Sequence, residues 1–254
     1  MVCVELEPEP AMTGTRPATC LTTAATTELS SSSVIVALSP VVPRVRMASV
    51  PFCRWKSIRR PSASKSTLPS FLNEEGIYQH FKTVADAVDI PCILYNIPGR
   101  CGCGISEHNV ERLAAHPNIM GIKEASGDVA YAAKIAHLLS DDFSMYSGED
   151  ALTVPLMSLG ASGTISVWAD VQPQLVHDMC HAYLDGDVER ARDIQIAGQP
   201  LINALFSEVN PIPVKEALAQ MGMIEANYRM PLCPMADDTR SALTDALKGA
   251  GLLD

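Results

Sequence analysis

The sequence predicts an α/β fold with a parallel sheet. Short apolar segments that favour strands begin near residues 92, 119, 143 and 163, so they recur every 20 to 27 residues, and a helical pattern follows each one. This alternation indicates repeated βα units, which require a parallel sheet. A closed barrel and an open doubly wound sheet both satisfy the pattern. The sequence has no G-x-G-x-x-G motif after a strand, which argues against dinucleotide binding.

The predicted elements follow one another in a regular order from residue 75. A helix is predicted over residues 75–88, because Ile77, Phe81 and Val84 recur at helical spacing. Ser106 is the predicted N-cap of the next helix. The remaining segments are strands over residues 90–95, 118–124, 143–147 and 163–168, and helices over residues 128–139, 151–159 and 174–184.

The strand pattern stops near residue 187. Three further helices are predicted over residues 188–206, 213–221 and 239–250. We therefore divide the chain into residues 1–73, a βα region over residues 74–186, and a helical C-terminal domain over residues 187–254. A helical domain of this kind is suited to packing or to oligomer contacts.

The first 73 residues differ in character from the rest of the chain. Residues 13–33 are rich in Ser, Thr and Ala, and residues 43–73 carry seven basic residues and no acidic one. Five prolines between residues 40 and 69 interrupt any long helix. In this region we predict one strand, over residues 34–38.

The composition and charge of the chain argue against several classes of function. The chain is 47% hydrophobic and 19% charged, as in soluble globular proteins, and its net charge of -10 argues against binding to nucleic acid or to an anionic membrane. We expect no transmembrane helix, because no apolar run approaches about 18 residues. The acidic start MVCVELEPEP is unlike a secretory signal, so we expect a cytoplasmic protein with reduced cysteines. Cys101 and Cys103 form a C-x-C pair without a matching Cys/His pair, so no metal site is predicted.

Polar residues fall at the C-terminal ends of predicted strands, where parallel α/β folds carry their chemistry. They are Tyr95, Lys123 and residues 147–150. Partial burial of a lysine there lowers its pKa below about 10.4, and the neutral amine can form an imine with a ketone. From position alone, Lys123 could instead form an ion pair with Glu124 or Asp128. A tyrosine in the position of Tyr95, taken alone, is more often a core tyrosine with a satisfied hydroxyl.

Several motifs resemble those of the dihydrodipicolinate synthase family. Residues 95–102 (YNIPGRCG) resemble its Y-N-x-P-x-R-x-G signature, and residues 121–128 (GIKEASGD) resemble its Schiff-base lysine motif. Further similar segments, in the family's order, are residues 75–81 (EGIYQHF), 147–150 (SGED), 163–167 (GTISV) and 210–215 (NPIPVK). The resemblance covers roughly residues 74–254.

The resemblance implies a fold, a reaction and roles for five residues. It implies a (β/α)8 TIM barrel with a helical C-terminal appendage, usually in a homotetramer, that condenses pyruvate with aspartate semialdehyde in lysine and diaminopimelate biosynthesis. Lys123 would form the covalent pyruvate imine without any cofactor, and Tyr95 would relay protons. Arg100 would bind the carboxylate of the aldehyde, Ile165 would lie against pyruvate, and Gly148 would leave room for substrate. Sialic-acid and sugar-acid lyases share the lysine and tyrosine but typically lack this arginine.

The N-terminal region departs from the family pattern. A G-T-T-G-E motif, whose threonines bind pyruvate, is missing, and residues 68–73 (LPSFLN) stand where the family has T-P-Y-Y-N. A reading-frame error, a transit peptide or a basic nucleic-acid arm are alternative explanations. We expect a barrel with an atypical or incomplete N-terminal part and no feedback inhibition by lysine. Two functions stay open: an active lyase, and a catalytically impaired relative that acts as a binding or assembly partner.

Overall fold

The computed structural model of the protein describes residues 34–35, 46–48 and 73–254. Most of the predicted region 1–73 therefore lies outside the described residues, as do residues 36–38 of the strand predicted there. The boundaries that we placed after residues 73 and 186 stay predictions.

Six strands and nine α-helices make up the described part of the chain. The strands are β1 (Val34–Ile35), β2 (Arg46–Ala48), β3 (Cys92–Asn96), β4 (Ile119–Glu124), β5 (Ser144–Ser147) and β6 (Gly163–Ser166). The helices are α1 (Glu74–Asp86), α2 (Pro98–Cys101), α3 (Glu107–Ala114), α4 (Val129–Ile135), α5 (Thr153–Met157), α6 (Pro173–Leu184), α7 (Val188–Leu205), α8 (Ile212–Gln220) and α9 (Asp237–Gly249). Short 3₁₀ turns cover Ala136–Leu138, Asp150–Leu152 and Trp168–Asp170.

All six described strands belong to one sheet, in the order β1-β6-β5-β4-β3-β2. Strands β2 to β6 run parallel, and β1 pairs with β6 in the antiparallel direction. The parallel sheet with intervening helices is the predicted α/β architecture. A closed (β/α)8 barrel has eight parallel strands, so the described residues supply an incomplete barrel, as expected for its N-terminal part.

The register of the sheet decides which side chains share a face. Tyr95 is the Cα partner of Lys123, Lys123 of Tyr146, and Tyr146 of Gly163. Side chains alternate between faces along a strand, so residues in one such cross-strand row point the same way. We call this side the site face. The buried cluster of Ile93, Tyr146 and Ile165 lies on it.

The opposite side, which we call the helix face, packs against the helices. Leu94, Ile122 and Met145 project from it and are fully buried in the main hydrophobic core. Burying a side chain of this size stabilises the fold by about 1.5–3 kcal/mol. The strands therefore consist of nearly continuous apolar residues, as is typical of a parallel sheet that is covered on both faces.

Several helices begin at a residue whose side chain caps the first turn. The predicted N-cap Ser106 accepts a hydrogen bond from the backbone of Asn109, at 3.2 Å. Asn73 caps α1 and Asp187 caps α7 in the same way. A cap of this kind contributes about 1 kcal/mol, because it satisfies a backbone N–H that has no partner inside the helix.

The structure corrects several predicted boundaries. Arg46–Ala48 is a strand that the sequence pattern did not indicate, because its three residues gain their pairing from β3. The predicted strand over residues 163–168 ends at Ser166, since the backbone N–H groups of Val167 and Trp168 turn to bond Asp150. The helix predicted over residues 151–159 is a 3₁₀ turn followed by the shorter α5.

The C-terminal helices pack onto the sheet layer through a close contact. Gly198 of α7 faces the ring of Trp168, and an added Cβ would lie 2.4 Å from that ring. A glycine is therefore required for α7 to approach this closely. Among the described helices, none combines the length and the apolar character that crossing a membrane requires.

Candidate active site

Lys123 lies near the C-terminal end of β4, with its side chain on the site face. Only 4% of its surface is exposed. Burial lowers the pKa of Lys123 to about 8, against an opposing effect of Asp150 and a further lowering by Arg100. Burial disfavours the ammonium because it removes the water that solvates the charge. At pH 7.5 roughly a quarter of such a lysine is the neutral amine, and an exposed lysine has about a thousandth.

Tyr95 stands beside Lys123 on the neighbouring strand. The Nζ atom of Lys123 lies 4.5 Å from the centroid of the Tyr95 ring. Burial raises the pKa of Tyr95, whereas the nearby Arg100 guanidinium lowers it. The phenol therefore keeps its proton at neutral pH and can both donate and accept it close to the amine.

Gly148 leaves the space that the Lys123 side chain fills. An added Cβ at this position would lie 2.7 Å from Cε and 2.8 Å from Cγ of Lys123, and 2.7 Å from Cβ of Ala125. The backbone N–H of Gly148 donates to the carbonyl of Glu124 at 2.6 Å. The backbone at Gly148 is thus held against the Lys123 side chain, and only a glycine fits at this position.

Arg100 lies on the short helix α2, in the loop that follows β3. The side chain is exposed, and its Nη1 donates to the carbonyl of Asn210 at 3.2 Å. Its positive charge lowers the pKa of both Lys123 and Tyr95. Helix α2 was not predicted from the sequence. Pro98 favours its start, and Gly102 ends it at a φ of 71°.

Ile165 lies on the same face, on the far side of Lys123 from Tyr95. It is 1% exposed and packs with Ile93 and Tyr146. The structure therefore brings Tyr95, Lys123, Gly148 and Ile165 to one face and one end of the sheet, and Arg100 lies on α2 in the loop that follows β3. Their roles stay predictions at this point.

Three residues near the site were missed from the sequence. Asp150 is buried and accepts from the backbone N–H groups of Val167 and Trp168, at 3.0 and 2.8 Å, which fixes the turn after β6. Burial raises the pKa of its carboxyl. The signal was present in the sequence, since residues 147–150 were singled out as polar residues at a strand end, but no role was assigned to Asp150.

The other two missed residues are Asn96 and Glu124, the last residues of β3 and β4. Both are buried on the helix face, and Asn96 Nδ2 donates to Glu124 Oε2 at 2.7 Å. The alternative ion pair between Lys123 and Glu124 is therefore wrong, because alternation along β4 points these neighbours to opposite faces. A polar residue that ends an apolar strand was the available signal.

The side chains at this site are better suited to forming an imine than to binding a metal ion. Within residues 73–254 and the two short strands before them, no three His, Cys, Asp or Glu side chains are grouped so that they could hold a metal ion. The arrangement offers a neutral amine, a phenol and a guanidinium at one strand end. Such a set can form an imine, move a proton and bind a carboxylate.

Residues 70–250 match the model of the dihydrodipicolinate synthetase family. The 4-hydroxy-tetrahydrodipicolinate synthase of Alcanivorax borkumensis is 48% identical over 181 residues, which are 71% of this chain and 62% of the relative. The enzyme of the same name from Pseudomonas aeruginosa is 47% identical over 180 residues, 71% and 62% of the two chains. The chain thus spans about 62% of the length of these curated relatives.

Solved structures of the same family have the same fold. Dihydrodipicolinate synthase from Thermotoga maritima has a TM-score of 0.70 and 39% identity, with 72% of this chain and 63% of that one covered. The Acinetobacter baumannii enzyme, solved in complex with pyruvate, has a TM-score of 0.69 and 43% identity, with 72% and 62% covered. These likenesses confirm the predicted α/β barrel class with its helical C-terminal part. The chain belongs to the dihydrodipicolinate synthetase family.

Proposed function

We propose that this chain is a lyase that condenses pyruvate with aspartate semialdehyde through an imine on Lys123, in the synthesis of lysine and diaminopimelate. One observation carries the proposal. Lys123 is buried at a strand end with a pKa of about 8, next to the Tyr95 phenol. The names of the relatives support the choice of substrates.

The first half of the reaction uses the amine of Lys123. Its lone pair attacks the ketone carbon of pyruvate, and the resulting carbinolamine loses water to form the imine. Protonation of the imine nitrogen withdraws electrons, so a methyl proton of pyruvate leaves and an enamine forms. Tyr95, 4.5 Å from Nζ by its ring centroid, is the group that takes up and returns these protons. The protein needs no bound cofactor for these steps, because the protonated imine itself accepts the electrons.

The second half joins the two substrates. The enamine carbon attacks the aldehyde carbon of aspartate semialdehyde, and the new alkoxide receives a proton. Arg100 binds the carboxylate of the aldehyde, since a guanidinium offers two parallel N–H donors to such a group. Ile165 provides an apolar wall for the pyruvyl methyl carbon, and Gly148 keeps the space around Lys123 open. The amino group of the aspartate semialdehyde portion then attacks the imine carbon, the ring closes as the C–N bond to Lys123 breaks, and Lys123 leaves as the free amine.

Assembly and location belong to the same proposal. We infer a homo-oligomer in the cytoplasm, of the tetrameric kind that the family resemblance implies. The thiols of Cys101, Cys103, Cys180 and Cys233 are free, which suits a reducing compartment. Light scattering of the purified chain would test the assembly, and a monomer at micromolar concentration would contradict it.

Borohydride trapping tests the chemistry directly. The purified chain is incubated with pyruvate, reduced, and examined by intact mass and peptide mapping. We expect a pyruvyl adduct on Lys123, absent in Lys123→Arg, and then consumption of aspartate semialdehyde. A folded sample without adduct would favour the catalytically impaired relative. An adduct without turnover of aspartate semialdehyde would favour a related pyruvate aldolase, such as a sialic-acid or sugar-acid lyase.

A further inference from the structure

A chain of hydrogen bonds on the helix face connects the two strands that carry Tyr95 and Lys123. Glu124, at the end of β4, accepts from Asn96 Nδ2 through Oε2 at 2.7 Å and from the backbone N–H of Ser126 through Oε1 at 2.7 Å. Asn96 in turn accepts from the backbone N–H of Ile105 at 3.0 Å. Asn96 and Glu124 are each 2% exposed, so water does not compete for these bonds.

Ile105 is the point where the loop after β3 returns to the fold. Its N–H is bound by Asn96, and its carbonyl accepts from the Tyr131 hydroxyl at 2.7 Å. The loop therefore leaves the sheet after Asn96 and is fastened back to the side chain of the same residue. Residues 97–104, between these two points, contain α2 with Arg100.

We propose that Asn96 and Glu124 are positioning residues that hold the loop carrying Arg100, and thereby set how the aldehyde substrate is bound. The inference rests on the proposed function, because it assigns Arg100 to the carboxylate of that substrate. Both side chains lie on the face opposite to Lys123, so they act through the loop and touch no reacting atom. They affect binding of the aldehyde and leave imine formation with pyruvate intact.

The donor–acceptor direction of these hydrogen bonds explains why position 124 needs a carboxylate and position 96 needs an amide. Both oxygens of Glu124 face N–H donors, so a glutamine in its place satisfies one donor and sets its own amide N–H against the other. Asn96 must accept with one end and donate with the other. An aspartate there keeps the bond to Ile105 but places a second carboxylate against Glu124, which is repulsive in a buried site.

Exchanging the carboxylate and the amide between the two positions restores every one of these hydrogen bonds. In the double variant N96D/E124Q, the aspartate accepts from Ile105 and from the glutamine amide. The glutamine oxygen accepts from the N–H of Ser126. Each donor and acceptor is again paired, with the direction of one hydrogen bond reversed. A purely steric role for either residue does not predict this pattern, because each substitution keeps the shape of the side chain.

The experiment compares the unsubstituted chain with N96D, E124Q and the double variant. Trypsin cleavage of the Arg100–Cys101 bond, followed by mass spectrometry, reports opening of the loop without any need for activity. We expect about tenfold or faster cleavage in each single variant, because a buried polar group is left unpaired, and rates near the original in the double variant. E107Q is the matched control: Glu107 loses its exposed ion pair with Lys134 but does not hold the loop.

Kinetics provide the second readout. The KM for aspartate semialdehyde should rise about tenfold in the single variants and recover in the double variant, while the rate of pyruvate trapping stays within about twofold. Unchanged cleavage in both single variants, or no recovery in the double variant, overturns the proposal. So does a loss of trapping as large as the rise in KM. If a single variant does not fold, a folded double variant supports the exchange and an unfolded one overturns it.

Failure of the proposed function gives a different result. If the unsubstituted chain forms no pyruvate adduct, the lyase assignment fails, and the cleavage rates alone then decide whether Asn96 and Glu124 hold the loop.

Discussion

The side chains of Lys123 and Glu124, neighbours in β4, leave the sheet on opposite faces. Lys123 lies beside Tyr95 on the site face, and Glu124 bonds Asn96 on the helix face. The same two strands therefore carry reactive groups on one side and the bonds that hold their loops on the other. This division allows chemistry and positioning to be tested by separate substitutions.

The first prediction concerns the pH dependence of imine formation. The neutral fraction of Lys123 should follow its pKa of about 8, so the trapping rate with pyruvate should fall roughly tenfold for each pH unit below that value and level off above it. Cyanoborohydride trapping between pH 6 and 9.5, read by mass spectrometry, measures the curve. A rate that keeps rising tenfold per pH unit up to pH 9.5 would mean that the lysine is not desolvated as described.

The second prediction links the same pKa to stability. Between pH 8 and 10.5 the unfolded chain binds a proton at Lys123 that the native chain has lost, so stability should rise with pH in this window. Below pH 8 both states are protonated, and the full cost of burying the charge is present. Lys123→Met should therefore stabilise the protein at pH 7 by up to about 3 kcal/mol, and the gain should vanish towards pH 10.5.

Urea unfolding at pH 7 and pH 9.5 measures this gain. Lys248→Met is the control, since Lys248 is an exposed lysine in the last turn of α9. Equal stability of Lys123→Met and the unsubstituted chain at both pH values would argue against a buried, destabilising charge.

The third prediction tests the space beside the lysine. Gly148→Ala puts a methyl group 2.7 Å from Cε of Lys123, so the side chain must move. A displacement of about 1 Å in a reacting group can cost about 100-fold in rate, and we expect a loss of this size in pyruvate trapping. Gly99→Ala, on α2, is the control, because its added Cβ meets no atom within 4 Å. Similar trapping rates in the two variants would show that the added methyl group does not displace the Lys123 side chain from its reactive position.

The fourth prediction separates the two substrates. Arg100→Ala removes the donors proposed for the aldehyde carboxylate, so the KM for aspartate semialdehyde should rise about 10- to 100-fold. Trapping with pyruvate should persist, because the proposed role of Arg100 is in binding the aldehyde and not in forming the imine. Arg100→Lys should recover part of the loss, since it keeps the charge without the planar fork. Steady-state kinetics with each substrate varied in turn give the comparison, and Arg192→Ala on α7 serves as a surface control.

Much of the βα region was predictable because its signals are local. The apolar residues of β3 and β4 and the cap at Ser106 need no distant partner to be recognised. The lysine at the end of β4 was predicted for the same reason, as was a lowered pKa from its burial. Strand β2 was missed, because its three residues become a strand through pairing with β3.

The sequence by itself determined the family, the α/β class and the identity of Lys123, Tyr95 and Arg100 as candidate residues. These conclusions depend on residue type, spacing and strand ends, which are properties of the chain. Only the tertiary structure decided that Lys123 and Glu124 do not pair, that Gly148 must lack a side chain, and that Asn96 fastens the loop of Arg100. Each of these depends on which atoms from separate strands come within a few ångströms, and the folding of the sheet alone fixes those distances.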